Sequence, residues 1–186
     1  MGRISEKNKR FRSKETIIND VYNVLKSDLS YGTKFAVIHD VTWVWTEFYG
    51  KYVGCPYWSE EALKLYKNKN EIINFSNGKY LRHEHIVPRN IVINELLNLK
   101  EITKKKVKTI LENTLIGVII TKEEDKLLLK DKMPAKLDGK SLLDYTEKDK
   151  WLRYILVDEI SVCRVEWTKD RNRIISSIAY NNIDYQ

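Results

Sequence analysis

The chain has three histidines, and two of them stand close together in the run His83-Glu84-His85-Ile86-Val87-Pro88. Histidine takes up and releases protons near neutral pH, so it is a natural side chain for a general base. Imidazole and carboxylate groups are also ligands for divalent metal ions. The run therefore indicates hydrolytic or metal chemistry. The alternative is a pair of strand histidines beside an unrelated glutamate.

A second segment, further along the chain, combines a strand with the start of a helix. Leu115–Ile120 (LIGVII) is a short apolar run rich in β-branched residues, which is typical of a buried strand. Thr121-Lys122-Glu123-Glu124 follows at once with the spacing of a capping box, which predicts that a helix begins there. The backbone N–H groups at such a helix start attract phosphate.

In this order, the two segments resemble the HNH, or His-Me finger, nuclease family over about residues 79–130. In that family an acidic residue or histidine, then His, Ile or Val, any residue and Pro close the first strand of a ββα-metal motif. Glu84-His85-Ile86-Val87-Pro88 matches this pattern. The family's second strand ends in Ser or Thr, and the helix after it begins x-Glu-Glu-His. Here that place holds Lys122-Glu123-Glu124-Asp125.

The resemblance implies a metal-dependent endonuclease that hydrolyses phosphodiester bonds, in DNA rather than RNA. His85 would be the general base that takes a proton from water, and Asn113 would orient it. Glu84 and Asp125 would bind one divalent ion; His83 is a candidate ligand on strand geometry instead, as described below. Hard oxygen ligands favour Mg²⁺ or Mn²⁺ over zinc, and the ion would stabilise the leaving oxygen. A restriction, phage or defence role would suit such a nuclease by analogy.

Strand geometry leaves two arrangements of these residues open. Neighbouring residues of a strand point to opposite faces, so Glu84 and His85 converge only if the strand end is distorted. If the strand is regular, His83 and His85 share a face, and a metal site made of both histidines and a carboxylate becomes the better geometry.

Two departures from the family pattern favour a different function. Asp125 replaces the usual histidine, and residues 90–112 look helical where a glycine-rich loop is expected. Asn113 also lies further upstream of the acidic helix than is usual. The alternative is a non-catalytic protein that binds nucleic acid or another protein, such as a phage or defence inhibitor, and keeps the finger as a scaffold.

Positive charge is concentrated in two segments of a chain with 33 Lys and Arg, 26 Asp and Glu and a net charge of +7. Residues 1–14 are rich in Arg and Lys, and so are residues 100–108. Basic segments attract polyanions, of which nucleic acid is the commonest, although a solvated tail and helix face have the same composition. The candidate phosphate contacts are Arg10, Arg12, Arg82, Arg89, Lys104, Lys105, Lys106 and Lys108.

The elements that would position these residues are mostly helical. We predict an α+β fold: a helix-dominated single domain over residues 15–186, with a ββα-metal core at about 79–130 that carries helical insertions, after a basic arm over residues 1–14. Hydrophobic periodicity and capping residues place the elements. The predicted helices cover 15–29, 34–49, 60–68, 90–99 and 104–112, with another capped by Thr146, and the predicted strands cover 79–87, 115–120, 160–167 and 173–180.

Composition limits the remaining classes. With 42% hydrophobic residues, seven Gly and three Pro, the chain is neither fibrous nor disordered. Cys55 and Cys163 are too far apart in sequence for a disulfide framework or a metal pair, and no apolar run is long enough to span a membrane. We expect a cytoplasmic protein with nucleic acid as partner and no membrane partner, and a homodimer is left open.

Two further assignments concern apolar surroundings. His39 stands in an apolar run and is predicted to be a core histidine. The aromatic segment Trp43–Trp58 is assigned to core packing rather than to base stacking, with Tyr52, Tyr57 and Trp58 left open because glycines flank them.

Overall fold

A computed structural model describes residues 12–68 and 78–180. The helices are α1 Lys14–Lys26, α2 Tyr31–Thr46, α3 Glu60–Asn68, α4 Arg89–Leu97, α5 Lys104–Thr114, α6 Lys122–Leu127 and α7 Glu147–Ile155. The strands are β1 Tyr57–Ser59, β2 Leu81–His85, β3 Gly117–Thr121, β4 Val162–Trp167 and β5 Ile174–Ala179. Most of the predicted basic arm, including Arg10, lies outside the described residues. The mixed α+β class is confirmed.

Helix starts follow the capping residues that the sequence predicts. The hydroxyl of Thr103 accepts a hydrogen bond of 3.2 Å from the backbone N–H of Lys106 at the start of α5. At the start of α6, the Thr121 hydroxyl accepts from the N–H of Glu124, and the Glu124 carboxylate accepts from the N–H of Thr121. Both bonds of the predicted capping box are therefore present.

Five strands form one mixed sheet in the order β2-β3-β1-β4-β5. β2 and β3 are antiparallel neighbours, and α6 packs against both of them. This order of elements agrees with the predicted ββα arrangement, whereas a metal-binding core is not confirmed. The sequence did not predict β1, because its three residues follow the turn at Gly54–Pro56 and show no alternation.

Two clusters of buried side chains lie on opposite faces of this sheet. Val118 and Ile120 of β3 belong to the larger cluster, and Ile119 between them belongs to the smaller one, because alternate strand residues point to opposite faces. The larger cluster also takes side chains from five helices, among them Ile17, Ile38, Ile93, Ile110 and Trp151. The smaller one holds Trp58, Tyr66 and Leu81.

One expectation about the core is wrong. His39 is exposed rather than buried, because Ile38 and Val41 turn the apolar side of α2 towards the core and leave His39 on the outer side. The aromatic segment does contribute to the core, since Tyr52 is 6% exposed and Trp58 is fully buried.

Candidate functional site at the end of strand β2

β2 is a regular strand, and it separates the predicted site residues onto two faces. Its residues pair in register with β3, from Leu81 opposite Thr121 to His85 opposite Gly117. His83 and His85 therefore share one face, and Glu84 points to the other. Of the two arrangements that the sequence leaves open, the regular strand is the one observed, so Glu84 and His85 do not converge.

The two histidines meet the C-terminal end of α2. Nε2 of His85 lies 3.0 Å from Oγ1 of Thr46, and Nδ1 of His83 lies 3.2 Å from Oε1 of Glu47. The two imidazole rings are edge to face, with centroids 5.1 Å apart. We call these four side chains, Thr46, Glu47, His83 and His85, the histidine group.

Burial keeps His85 uncharged. The residue is 8% exposed, and the lost hydration lowers the pKa of its imidazole well below the ordinary value of 6.5. Positive charge from His83, Arg89 and Arg153 lowers this pKa further. At neutral pH the ring therefore has one bare nitrogen, and in the tautomer with a bare Nε2 it accepts the hydrogen bond that the Thr46 hydroxyl donates.

His83 is enclosed by its neighbours. Its side chain is fully buried, and its ring lies so close to Gly117 that a Cβ on that residue would overlap Nε2. Within the described residues, neither ring nitrogen of His83 makes a hydrogen bond, so Glu47 approaches Nδ1 without hydrogen-bond geometry. Gly117 is the residue that makes room for this imidazole.

Glu84, on the other face, is paired with Arg153 of α7. The Arg153 side chain is 2% exposed, and its Nη1 donates to Oε1 of Glu84 at 3.1 Å and to the carbonyl of His85 at 2.9 Å. Its Nη2 donates to the carbonyl of Leu129 at 2.6 Å. Three acceptors surround one buried guanidinium, so Glu84 serves as a structural partner in this arrangement.

Asp125 lies on the same face as Glu84, in the first turn of α6. Its Oδ2 is 3.9 Å from Nε of Arg82, and both side chains are partly exposed, at 29% and 36%. Burial raises the pKa of the Tyr154 hydroxyl well above 10.0, and the charges of Glu84 and Asp125 raise it further. Both carboxylates therefore act on one buried phenol. We call Arg82, Glu84, Asp125 and Arg153 the arginine face.

The predicted metal ligands are divided between the two faces of β2. In residues 12–68 and 78–180, no three His, Cys, Asp or Glu side chains are grouped so that they could hold an ion. Glu84 and Asp125 face away from His83, and each of the two carboxylates has an arginine beside it. The ligand set Glu84, Asp125 and His83 is therefore not brought to one point.

Two more predicted residues lie on helices near the site. Asn113 is half-buried near the end of α5. Arg89 begins α4, and its Nη2 donates a hydrogen bond of 2.5 Å to the carbonyl of His39. Burial lowers the pKa of Arg89, while the charges of Glu47 and Asp40 raise it. Arg89 is therefore tied to α2 and adds positive charge beside the histidine group.

The remaining candidate phosphate contacts are surface cations with local partners. Nε of Arg12 lies 3.6 Å from Asp20, and Nζ of Lys106 lies 2.8 Å from Glu101. On α5, Lys104 lies over the ring of Tyr22, Lys108 is 3.9 Å from Glu112, and Lys105 is exposed. These positions are accessible to a polyanion, and weak surface pairs of this kind exchange partners at little cost.

A cavity of about 490 Å³ opens beside the histidine group. Thr46 and Gly117 are part of its wall, and the Thr46 side chain also contacts His85. Thr46 was not predicted from the sequence, because nothing distinguishes it from any other helical threonine. Arg153 was not predicted either, although a cation inside the apolar run Trp151–Ile155 is a signal for a buried ion pair.

Comparisons with known proteins found no relatives. No protein-family model, curated protein or solved structure matches the chain. The resemblance to the HNH family therefore depends on residues 79–130 alone. None of the helices in the described part of the chain has the length and apolar character needed to cross a membrane.

Proposed function

We propose that the protein is a nuclease that hydrolyses phosphodiester bonds, with His85 as the general base. One observation supports this proposal above the others: a neutral, buried imidazole lies 3.0 Å from the hydroxyl of Thr46, a residue that lines a cavity of about 490 Å³. A general base must be unprotonated at the working pH and within hydrogen-bond distance of the group that it deprotonates, directly or through one relay.

Thr46 is the relay in this proposal. A water in the cavity gives a proton to Oγ1 of Thr46 as it attacks phosphorus, while the Thr46 hydroxyl gives its own proton to Nε2 of His85. The bond from phosphorus to the leaving oxygen breaks, that oxygen takes a proton from solvent, and His85 then returns its proton to solvent. A base whose pKa is far below 7 is weak on its own. A bound phosphodiester carries negative charge, which favours the imidazolium form and raises the pKa of His85 towards neutrality. The base is therefore strengthened when substrate is present.

The resemblance adds DNA as the preferred nucleic acid and Mg²⁺ or Mn²⁺ as the cofactor to this proposal. The net charge of +7 is consistent with a polyanionic substrate. Because the arginine face and the histidine group lie on opposite sides of β2, the steps given above use only His85 and Thr46. Metal dependence is a question for the assay.

The test is a plasmid-nicking assay in Mg²⁺, Mn²⁺ and EDTA. Because general-base catalysis contributes about 10²–10⁴-fold, we expect His85→Ala to lower the cleavage rate by that factor. Thr46→Val keeps the shape but removes the relay, so it should also lower the rate. His39→Ala is the matched control, since His39 is exposed on the outer side of α2. Unchanged cleavage by folded His85→Ala would exclude His85 as the base.

A second function is favoured by the arginine face. Each carboxylate that the resemblance assigns to a metal has an arginine partner, which is consistent with a His-Me finger that is kept only as a scaffold. In that case the protein binds nucleic acid but cleaves it with neither Mg²⁺ nor Mn²⁺. Replacing Lys104 and Lys105 with Gln should then reduce the slope of log affinity against log salt by up to about 0.9 per phosphate contact in duplex DNA.

A further inference from the structure

We propose that the cavity beside His85 binds one nucleotide unit, with the base among aromatic side chains and a phosphate at the start of α1. This inference rests on the proposed nuclease function, because it names the part of the substrate that the site would hold. It assigns a binding role to residues that lie outside the segment 79–130.

The walls of the cavity suit a flat aromatic ring. A volume of about 490 Å³ lies within the range of roughly 300–1,000 Å³ that small-molecule sites occupy. Trp45, Phe48, Tyr49 and Tyr57 form much of the wall. Phe48 and Tyr49 meet edge to face, with ring centroids 4.8 Å apart. Aromatic side chains of this kind stack on any base, which contributes about 1–3 kcal/mol per base.

Two cations lie against these aromatic walls. Ser13 and Lys14 line the cavity, and they cap and begin α1, a helix of 13 residues. The N-terminus of a helix carries the positive end of its dipole and binds phosphate. Nζ of Lys14 lies 4.6 Å from the ring centre of Trp45, and the guanidinium of Arg171 lies 3.7 Å from the ring centre of Tyr49. Cations therefore stand directly over two of the wall aromatics.

One wall residue is acidic. Glu112 lines the cavity, and its Oε1 lies 3.9 Å from Nζ of Lys108. A carboxylate accepts hydrogen bonds from the amino group of a base, so it suits the edge of a base rather than its phosphate. The combination of aromatic rings, cations against two of them and one acceptor matches the chemistry of a nucleotide.

The same cavity reaches the proposed base. Thr46 lines it, and the Thr46 hydroxyl is 3.0 Å from Nε2 of His85. A phosphodiester linked to a nucleotide in the cavity would therefore meet the relay, while the neighbouring phosphate lies at α1. The cavity would in this way set the position of the nucleic-acid strand relative to His85.

The experiment titrates the full chain with dAMP, dGMP, dCMP and dTMP in EDTA, and it follows binding by calorimetry and by tryptophan fluorescence. We expect saturable binding of at least one nucleotide at one site per chain. The matching nucleoside and inorganic phosphate are titrated separately. Both should bind at least about fivefold more weakly than the nucleotide, because each lacks one of the two kinds of contact.

Two variants test the two kinds of contact in the cavity. Lys14→Gln should weaken nucleotide binding about fivefold or more, and Tyr49→Leu about tenfold, within the range expected for loss of one stacking ring. Lys26→Gln, at the other end of α1, and Tyr31→Leu, at an exposed aromatic residue on α2, are the matched controls and should bind like wild type.

The outcomes separate this inference from the function on which it rests. If no nucleotide binds to the folded wild type, or if the controls weaken binding as much as the two variants, the inference is wrong. Cleavage by that same protein would leave the nuclease function in place. If nucleotides bind and only Lys14→Gln and Tyr49→Leu weaken binding, the inference holds. A lack of cleavage would then count against the nuclease alone.

Discussion

The two faces of β2 hold polar side chains in opposite ways. On the arginine face each carboxylate has a guanidinium partner, at 3.1 Å for Glu84 and 3.9 Å for Asp125. In the histidine group one imidazole is bonded to a hydroxyl, and the other makes no hydrogen bond among the described residues. Both carboxylates of the first face are held in ion pairs, whereas the second face has an imidazole without a hydrogen bond and so keeps capacity to bind a ligand. We therefore expect the arginine face of β2 to contribute mainly to stability and the histidine group to contribute mainly to function.

The largest loss of stability is expected on the arginine face, from Arg153→Met. The substitution leaves Glu84 without its partner and removes donors from the carbonyls of His85 and Leu129. Breaking a buried ion pair by removing one partner lowers the free energy of unfolding by about 3–5 kcal/mol. Urea denaturation followed by circular dichroism measures this loss.

Arg82→Met is the matched control on the same face, because Arg82 pairs with Asp125 at a partly exposed position. Exposed pairs contribute up to about 1 kcal/mol. Arg82 also donates to the carbonyls of Gly78 and Leu81, so Arg82→Met should cost somewhat more than the pair alone but less than Arg153→Met. Equal losses for the two variants would show that burial does not distinguish the two ion pairs.

The next largest effect is expected in the histidine group, from Gly117→Ala. The new methyl group would overlap Nε2 of His83, which is enclosed and has little room to move. Overpacking of this kind lowers the free energy of unfolding by about 1–3 kcal/mol. The measurement is again urea denaturation.

Two further variants check this steric explanation. Gly32→Ala should not destabilise the protein, because no atom lies within 4 Å of the position of its Cβ and alanine favours the helix. In a His83→Ala background the cost of Gly117→Ala should largely disappear. A cost that stays the same in that background would mean that the strand, rather than the imidazole, resists the methyl group.

Local features of this fold were predictable from the sequence, whereas the partners of the side chains on the two faces of β2 were not. The capping box at Thr121 and the strand at Leu81–His85 depend on residues close together in the sequence, so the local sequence predicts both of them. The partners of the site come from distant segments, since Thr46 is 39 residues from His85 and Arg153 is 69 residues from Glu84. No spacing in the sequence reports such contacts.

The regularity of β2 illustrates the same limit. Whether Glu84 and His85 converge depends on how the end of the strand is held, and that is decided by its pairing with Gly117 of β3. Strand alternation predicted the two possible outcomes without choosing between them. The metal set implied by the resemblance required the distorted strand, so a regular pairing separates its members.

A pH effect of intermediate size is expected from His85. Its pKa is lowered well below 6.5 in the folded protein, while the unfolded chain has the ordinary value. As the pH falls below 6.5, the unfolded state binds a proton that the folded state does not, so stability decreases. Between pH 6.5 and 5.5 the folded protein should lose about 1 kcal/mol through this residue.

The comparison of wild type with His85→Gln isolates that contribution. Burial and Arg89 also lower the pKa of His39, and this histidine is present in both proteins, so its effect cancels. Urea denaturation at several pH values between 7.5 and 5.0 should show a steeper loss for wild type than for the variant. Parallel curves would mean that His85 titrates normally and is not held neutral.

The smallest change in stability is expected on the arginine face, from Asp125→Ala. The Arg82–Asp125 pair is partly exposed and 3.9 Å long, so its loss should lower the free energy of unfolding by less than about 1 kcal/mol. Cleavage should stay within about threefold of wild type, because Asp125 lies across the sheet from the histidine group, and a threefold change is well under 1 kcal/mol of barrier. Plasmid nicking in Mg²⁺ and Mn²⁺ measures this directly.

Loss of metal-dependent cleavage by Asp125→Ala at unchanged stability would instead place the essential ion on the arginine face. In that case Asp125→His, which restores the residue usual in the resembling family, should keep activity and shift the preference towards softer metals, because imidazole is a softer ligand than carboxylate.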